Sequence, residues 1–255
     1  MASRELECAL AAARAAAEIS SRLYRSNIAV RIKEDRTPVT EADVQCERAI
    51  RAVIEGYFPD HGFYGEETGQ RAMNAANVWL VDPIDGTKSF VRDCPFFSTQ
   101  IALRREGKLV LGVSSASAYG ELAWAEQGGG AFLDGVPIRV SAVTALSEAI
   151  LSTGNLKTLA ASPVGWRRFG ALVGRVNRLR GYGDFLHYHL LARGALDVVL
   201  ESDVNILDIA ALSVIVQEAG GRMSGLDGSA IDLDTTTVLA ANAALHAPVL
   251  AAMRE

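Results

Sequence analysis

Two aspartates stand at the end of an apolar segment in the first third of the chain. Residues 78–81 read Val-Trp-Leu-Val and run directly into Asp82, Pro83, Ile84 and Asp85. Carboxylates that leave water lose hydration and repel one another, unless a cation or hydrogen-bond donors compensate. Hard cations such as Mg2+ take oxygen ligands and often pair with phosphates. The pattern therefore predicts a divalent metal between the two carboxylates.

The residues after this pair suit a ligand that approaches the backbone closely. Gly86 carries no side chain to obstruct such an approach. Together with Thr87 and Lys88, it supplies backbone N–H groups at a predicted helix or turn N-terminus. Groups of this kind bind phosphate oxygens. The segment thus predicts a phosphate site beside the metal.

The string Asp82-Pro83-Ile84-Asp85-Gly86-Thr87 resembles the signature of the inositol monophosphatase superfamily, whose members are Mg2+-dependent, lithium-sensitive phosphatases. Three further segments follow the family's order, and the resemblance covers nearly the whole chain. They are Thr37-Pro38-Val39-Thr40-Glu41-Ala42-Asp43, Gly65-Glu66-Glu67 and Asn205-Ile206-Leu207-Asp208-Ile209-Ala210-Ala211. Where the family usually has Trp before the last Asp, this chain has Leu207, an exchange that should alter packing rather than metal binding.

The resemblance implies two or three Mg2+ ions held by acids from distant parts of the chain. The implied side-chain ligands are Glu66, Asp82, Asp85 and Asp208, and Ile84 would add its backbone carbonyl. A metal pair can stabilise both the attacking and the leaving oxygen of a phosphate ester. Read alone, Asp208 could equally be a helix cap, because aspartate is common at helix starts.

The resemblance also implies residues that act on the water and the phosphate. Asp43 and Thr87 would form a pair that orients and deprotonates the attacking water, although Asp43 alone could be an acid that complements a helix dipole. Gly86 and Thr87 would bind the phosphate. Lys33 would approach the metals or the phosphate, and the alternative is a solvated lysine. The histidines show no ligand spacing among themselves, so a structural role is expected for each.

The segment from Gly181 to Gly194 looks most like the histidinol-phosphatase branch of the family. L-histidinol phosphate carries an amine and an imidazole, and both can be cationic. A receptor for it needs acids away from the metals, and Asp184 and Glu201 are the candidates. Asp184 could instead be the N-cap of the helix that follows it, and the position of Glu201 would serve a hydroxyl as well as a cation.

Other functions stay open on these residues. The enzyme alternatives are an inositol-1-phosphate phosphatase and a 3'(2'),5'-bisphosphate nucleotidase. The nucleotidase would need basic groups for a second phosphate, which could come from Arg167, Arg168, Arg175, Arg178 and Arg180. The non-enzyme alternative is a regulatory protein that binds phosphate or metal on the same scaffold, which the loss of a ligand acid would favour. No such loss is visible.

Helical and strand patterns alternate along the whole chain and indicate a layered α/β fold. The resemblance makes this an α-β-α-β-α sandwich of the inositol monophosphatase and fructose-1,6-bisphosphatase type. We expect an N-terminal half with the metal motif, residues 1–145, and a C-terminal half with the substrate segment, residues 146–255. Among the local predictions are a strand that ends at Asp82, a loop over residues 70–77, paired strands over 98–105 and 108–115, and a short strand over 138–140.

The net charge of the chain excludes some classes of binding partner. The 255 residues carry a net charge of −5, which argues against a general nucleic-acid or membrane-surface binder. The expected partner is a small phosphate monoester, and the resemblance implies a homodimer.

The chain has no secretory signal pattern and only three scattered cysteines, Cys8, Cys46 and Cys94. This suggests a reducing, cytoplasmic location, with Cys8 and Cys46 as packed thiols.

Overall fold

A computed structural model describes residues 2–26, 28–32 and 38–254. Within these ranges the chain forms eight α-helices, together with a single 3-10 turn at Leu146–Glu148. The helices are α1 Arg4–Leu23, α2 Glu41–Tyr57, α3 Thr87–Val91, α4 Lys157–Ala161, α5 Pro163–Val173, α6 Asp184–Ala192, α7 Ile206–Glu218 and α8 His246–Arg254. None of the helices in the described ranges is long and apolar enough to cross a membrane.

The strands form two large sheets and one small ribbon. The ribbon pairs β1 Val30–Ile32 with β2 Pro38–Thr40. The eight-stranded sheet has the order β10-β9-β8-β7-β6-β5-β3-β4, and its strands are β3 Gly62–Gly65, β4 Gly69–Arg71, β5 Asn77–Asp85, β6 Ser98–Arg105, β7 Lys108–Ala116, β8 Glu121–Glu126, β9 Gly130–Leu133 and β10 Val136–Ile138. The five-stranded sheet has the order β12-β11-β13-β15-β14, with β11 Ile150–Thr153, β12 Arg178–Arg180, β13 Val198–Ser202, β14 Gly221–Ser224 and β15 Thr237–Asn242.

Alternation along the strands divides the buried side chains into layers. On β5, Trp79 and Val81 pack with α1 and α2, whereas Leu80 points to the opposite face and joins α6 and α7. On β13, Val199 faces the same two helices, and Val198 faces α5 and α8. Helix α7 is apolar on all sides because it lies between the two sheets. The resulting order is α-β-α-β-α, as predicted.

A row of small residues lets α7 approach the eight-stranded sheet. Ala102, Gly112 and Ala125 stand opposite one another on β6, β7 and β8. A Cβ atom at Gly112 would overlap the backbone carbonyl of Ala211 on α7. The absence of side-chain bulk at this point therefore sets how close the middle helix lies to the sheet.

Most local predictions are confirmed, and the differences occur at strand ends. The pair predicted over 98–105 and 108–115 is β6 and β7, and Cys8 and Cys46 are buried. The predicted loop over 70–77 is wrong at Gln70 and Arg71, which pair with β3 as part of β4, and at Asn77, which begins β5. The short strand predicted over 138–140 is wrong in its bounds, because the strand lies two residues earlier, at Val136–Ile138. It pairs with β9 through the tight turn at Asp134 and Gly135.

We retain the boundary near residue 145 as a proposal. Every strand of the eight-stranded sheet precedes it, and every strand of the five-stranded sheet follows it. The helices of the middle layer, however, belong to the second half and pack on both sheets through one core. The two halves therefore share a buried layer rather than a linker.

We predict that Gly112→Ala lowers the free energy of unfolding by about 1–3 kcal/mol, because the added methyl forces α7 away from β7. Gly170→Ala is the matched control, since Gly170 is exposed within α5 and a Cβ atom there has nothing within 4 Å. That change should be neutral or stabilise by up to about 1 kcal/mol through helix propensity. Urea denaturation measures both. Equal stability of the Gly112 variant and the wild type would contradict the close approach of α7.

Candidate active site

Strand β5 continues beyond its predicted end and brings two carboxylates to one face. Asp82 pairs with Gln100 and Asp85 pairs with Ser98, so three steps along β5 match two along β6. In a regular strand, residues three apart point to opposite faces. The extra residue forms a β-bulge that returns Asp85 to the face of Asp82. The prediction that the strand ends at Asp82 is therefore wrong, and the difference places both acids on the side of α7.

The start of α7 supplies a third carboxylate. Asn205 caps this helix, and its backbone N–H and side-chain amide donate to the two oxygens of Asp208 at 2.9 and 2.7 Å. Asp208 is thus part of a capping box. Ligand oxygens from Asp82, Asp85 and Asp208 all lie within 4.8 Å of one another. The sequence left two alternatives for Asp208, a helix cap and a member of the acidic cluster. In the structure Asp208 is both.

Burial perturbs the three acids strongly. Burial is the main cause that raises the pKa of Asp82, and the neighbouring Glu66 carboxyl adds to it. The pKa of Asp85 is raised by burial and then by the charge of Asp184. Burial also raises the pKa of Asp208 to about 7, although the Asn205 N–H opposes that change. Such a cluster of hard oxygen donors fits a divalent cation of the Mg2+ type.

The start of α2 lies beside this cluster and carries the predicted water-activating pair. Asp43 accepts hydrogen bonds at one oxygen from the Thr40 N–H and hydroxyl, at 2.7 and 2.6 Å. The Thr87 hydroxyl lies 3.1 Å from the other oxygen of Asp43 and 3.0 Å from the carbonyl oxygen of Ile84. Burial raises the pKa of Asp43, against the hydrogen bonds from Thr40. The structure therefore brings Asp43, Thr87 and Ile84 together.

Gly86 also adjoins the cluster, and one further predicted residue lies outside the described ranges. Gly86 adopts a left-handed conformation, with φ of 88°, and is the N-cap of α3, whose first residue is Thr87. A Cβ atom at Gly86 would lie 2.7 Å from the carbonyl oxygen of Phe96, so only glycine fits. The prediction for Lys33 concerns a residue outside the described ranges.

A cavity next to the acidic cluster contains both acids predicted for the substrate. It is lined by Asp85, Asn155, Asp184, Tyr188, Glu201, Val204, Asp208, Ile209 and Leu212. Asp184 is the first residue of α6 and has φ of 45°, while Gly183 is the N-cap and α6 has no side-chain cap. The alternative that Asp184 caps this helix is therefore wrong.

The carboxylate of Glu201 is held by three donors. One oxygen lies 3.0 Å from Nε2 of His187 and accepts from the Tyr188 hydroxyl at 2.8 Å. The other accepts from the Asn155 N–H at 3.2 Å. Burial alone would raise the pKa of Glu201, but His187 and the other donors outweigh it and hold the pKa below its usual range. The pKa of Asp184 moves the other way, raised by burial and then by the charge of Glu201.

Sequence reasoning missed several polar residues around the site. Glu47 on α2 is fully buried and accepts from the N–H groups of Glu67 and Thr68. Behind Asp85, a buried hydrogen-bonded chain leads to the surface through Ser98, Gln100, Ser114, His189 and Glu121. Because the Glu121 carboxylate can only accept, Nδ1 of His189 carries the hydrogen. Apart from the contact between Ser98 and Gln100 within β6, the spacing of these residues in sequence gives no sign of the contacts, since the other links join segments that are distant in sequence.

Similarity to a known protein family extends over the whole chain. The sequence profile of the inositol monophosphatase family matches residues 1–255. The chain belongs to the inositol monophosphatase family. It is therefore a phosphatase, a hydrolase, and the alternative of a non-enzymatic regulatory protein is wrong.

Members of this family with different names are similar to the chain. It is 41% identical to a protein of Mycobacterium tuberculosis named Histidinol-phosphatase, over 96% of each chain. It is 34% identical to an Inositol-1-monophosphatase of Caulobacter vibrioides, over 85% of this chain and 87% of the other. Among solved structures, the extragenic suppressor protein suhB from Bartonella henselae superposes with a TM-score of 0.91 at 29% identity, over 99% of each chain.

We predict that Asp85→Asn leaves the melting temperature of metal-free protein equal or higher, because it removes one ionisable carboxyl group from a repelling cluster. Mg2+ at about 100 times its Kd should raise the wild-type melting temperature by about 5–10 °C. The variant should lose this rise, whereas Asp60→Asn, a change at an exposed aspartate after α2, should keep it. Calorimetry with and without Mg2+ measures all three. A full Mg2+ response in the Asp85 variant would contradict a cation site at this cluster.

Proposed function

We propose that this phosphatase hydrolyses L-histidinol phosphate to L-histidinol and phosphate, a reaction of histidine biosynthesis, with Mg2+ as cofactor. The observation that carries the proposal is the position of Asp184 and Glu201 in one cavity with Asp85 and Asp208. Acids that could bind a cationic substrate would then lie directly beside acids that could bind a metal. A cytoplasmic location and a homodimeric state belong to the same proposal and rest on the resemblance.

Glu66, Asp82, Asp85 and Asp208, with the carbonyl oxygen of Ile84, would hold two or three Mg2+ ions. Bound Mg2+ supplies Lewis-acid polarisation of the phosphate ester and lowers the pKa of a coordinated water. Oxygen ligands and a buried anionic environment support this assignment. Sensitivity to lithium, implied by the resemblance, is part of the proposal.

Asp43 and Thr87 would take the proton from the attacking water. When the Thr87 hydroxyl donates to Asp43, its oxygen keeps lone pairs to accept a hydrogen bond from that water. The proton can then pass through the hydroxyl to Asp43. The raised pKa of Asp43 makes it a better proton acceptor than an exposed aspartate, and Thr40 keeps it oriented.

The phosphate would lie at the start of α3. The first hydrogen bonds of this turn run from the N–H groups of Ser89 and Phe90 to the carbonyl oxygen of Gly86. The N–H groups of Gly86 and Thr87 precede them and would donate to phosphate oxygens. Lys33 stays a proposed contact to the phosphate, as on sequence.

The remaining part of the substrate would be recognised through its positive charge. Three hydrogen-bond donors favour the ionised form of Glu201. Asp184 lies close enough for the charge of Glu201 to raise its pKa. An ammonium or imidazolium group between them would compensate both acids. A charge-assisted hydrogen bond of this kind contributes roughly 1.5–3 kcal/mol, or about ten- to a hundredfold in kcat/KM.

The charges of the other substrates match the acids of this cavity less well. Inositol 1-phosphate stays the second candidate, because a relative at 34% identity is named Inositol-1-monophosphatase, but inositol brings no charge to compensate Asp184 and Glu201. A 3'(2'),5'-bisphosphate nucleotide would need basic groups for its second phosphate. Among the described residues, neither arginine nor lysine lines the cavity. The arginines at 178 and 180 lie exposed on β12, and those at 167, 168 and 175 lie on or just after α5.

We predict that Thr87→Val lowers kcat by about a hundredfold to ten-thousandfold with little change in KM, because the hydroxyl that accepts from the attacking water is lost. Thr87→Ser is the matched control, since it keeps the hydroxyl, and should retain most activity. Steady-state phosphate release measures both variants. Equal loss in the valine and serine variants would contradict proton transfer through the hydroxyl, because the serine variant keeps that hydroxyl.

We predict that L-histidinol phosphate gives the highest kcat/KM in a panel with inositol 1-phosphate, fructose 1,6-bisphosphate and 3'-phosphoadenosine 5'-phosphate. Asp184→Asn and Glu201→Gln should lower kcat/KM for L-histidinol phosphate by about ten- to a hundredfold. Glycerol 2-phosphate, whose alcohol part carries no charge, should be affected much less. Excess chelator should abolish turnover of every substrate, and Mg2+ should restore it.

The panel separates the parts of the proposal. Higher kcat/KM for inositol 1-phosphate in the wild type would overturn the substrate, whatever the variants do. Equal losses for L-histidinol phosphate and glycerol 2-phosphate would show that the two acids serve the scaffold or the metals. Full turnover in excess chelator would overturn the metal mechanism.

A further inference from the structure

We propose that Glu47 is a positioning residue that holds Glu66 at the metal site, an inference that rests on the proposed metal-dependent function. Glu47 lies four residues after Asp43, so the two side chains share one side of α2. Its side chain is completely buried. Neither its residue type nor its spacing marks it as part of the site on sequence.

The carboxylate of Glu47 binds the backbone of the loop that carries Glu66. Oε2 accepts from the Glu67 N–H and Oε1 accepts from the Thr68 N–H, each at 2.7 Å. Both oxygens are thus used on consecutive peptide groups, directly after the residue that would bind metal. Charge-assisted hydrogen bonds of this length are strong and directional.

Gly65 makes the contact sterically feasible. A Cβ atom at this position would lie 2.5 Å from both Cδ and Oε1 of Glu47, so any side chain would displace the carboxylate. On the other side of the loop, the Glu66 N–H donates to the carbonyl oxygen of Val81 on β5 at 3.2 Å. Glu66 is therefore fixed between α2 and the strand that carries Asp82.

Helix α2 therefore positions two parts of the site, the water-activating pair and the loop that carries Glu66. The first turn of α2 carries Asp43, which contacts Thr87, and the next turn carries Glu47. A shift of the Glu66 loop relative to α2 would change the distance between a metal ligand and the water-activating pair. Residues that orient metal ligands in this way commonly change metal affinity by about ten- to a hundredfold when mutated.

Glu47→Gln tests the proposal with minimal change in volume. A glutamine has one acceptor oxygen, and its amide N–H2 would face a second N–H donor, so one of the two hydrogen bonds becomes repulsive. The matched control is Glu218→Gln. Glu218 also accepts from two backbone N–H groups, those of Gly128 and Gly130, each at 3.0 Å, but it lies at the opposite end of α7 from Asp208.

The measurement is Mn2+ binding to the full chain by isothermal titration calorimetry, with kcat measured as a function of Mg2+ concentration. We expect Glu47→Gln to raise the Kd for Mn2+ by about ten- to a hundredfold and Glu218→Gln to leave it unchanged. At saturating Mg2+, kcat of the Glu47 variant should recover, because excess metal refills a weakened site. If Glu47→Gln fails to fold, Glu47→Asp, which keeps the charge on a shorter side chain, should show the same shift in Kd.

The outcomes separate this inference from the proposed function. Wild-type Kd in the Glu47 variants would overturn the role of Glu47 and leave the metal mechanism standing. Equal weakening by Glu47→Gln and Glu218→Gln would also overturn it, since a general loss of stability would then be sufficient. Absence of Mn2+ binding by the wild type would overturn the metal site itself, and the role of Glu47 with it.

Discussion

The repulsion among buried carboxylates at the end of β5 is the constraint on which the rest of the structure depends. Asp82, Asp85 and Asp208 lie within 4.8 Å of one another, and burial raises the pKa of each. Separate side chains would relax away from such an arrangement. Here each is attached to backbone that other contacts hold: a bulge paired with β6 for the first two, and a capping box for the third. The cluster is thus held together at the expense of stability, and a bound cation would relieve the repulsion.

Two helices from different layers use the same local device at this point. Asp43 on α2 and Asp208 on α7 are each the third residue of their helix and close a capping box with Thr40 and Asn205. The positive end of a helix dipole favours a carboxylate at this position, which offsets part of the repulsion. Hydrogen bonds to the cap also fix each side chain in orientation, while further lone pairs stay available to a cation or a proton.

The two sheets contribute different parts of the site. Asp82 and Asp85 come from the eight-stranded sheet, whereas Glu201 comes from the five-stranded sheet and faces the middle layer, as alternation from Val198 requires. Gly154 leaves the space for this carboxylate, because a Cβ atom there would overlap Oε1 of Glu201. Asp85 and Glu201 therefore reach one cavity from different sheets.

Much of this site was predictable from the sequence, because its acids lie in short continuous strings. The segment from Asp82 to Thr87 and the segment around Asp208 identified the family, and alternating patterns predicted the layers. Contacts between distant segments were not predictable. The bulge that turns Asp85 to the face of Asp82 depends on pairing with β6, and the wrong end predicted for β5 follows from that. His187 contacts Glu201 across 14 residues of sequence, and Glu47 binds the Glu66 loop across 20 residues. The sequence by itself determined which residues could do the chemistry and which elements carry them. Only the tertiary structure decided that these residues share one face, how their pKa values shift and which residues hydrogen-bond to them. The reason is that burial and hydrogen bonding across layers arise when those elements pack.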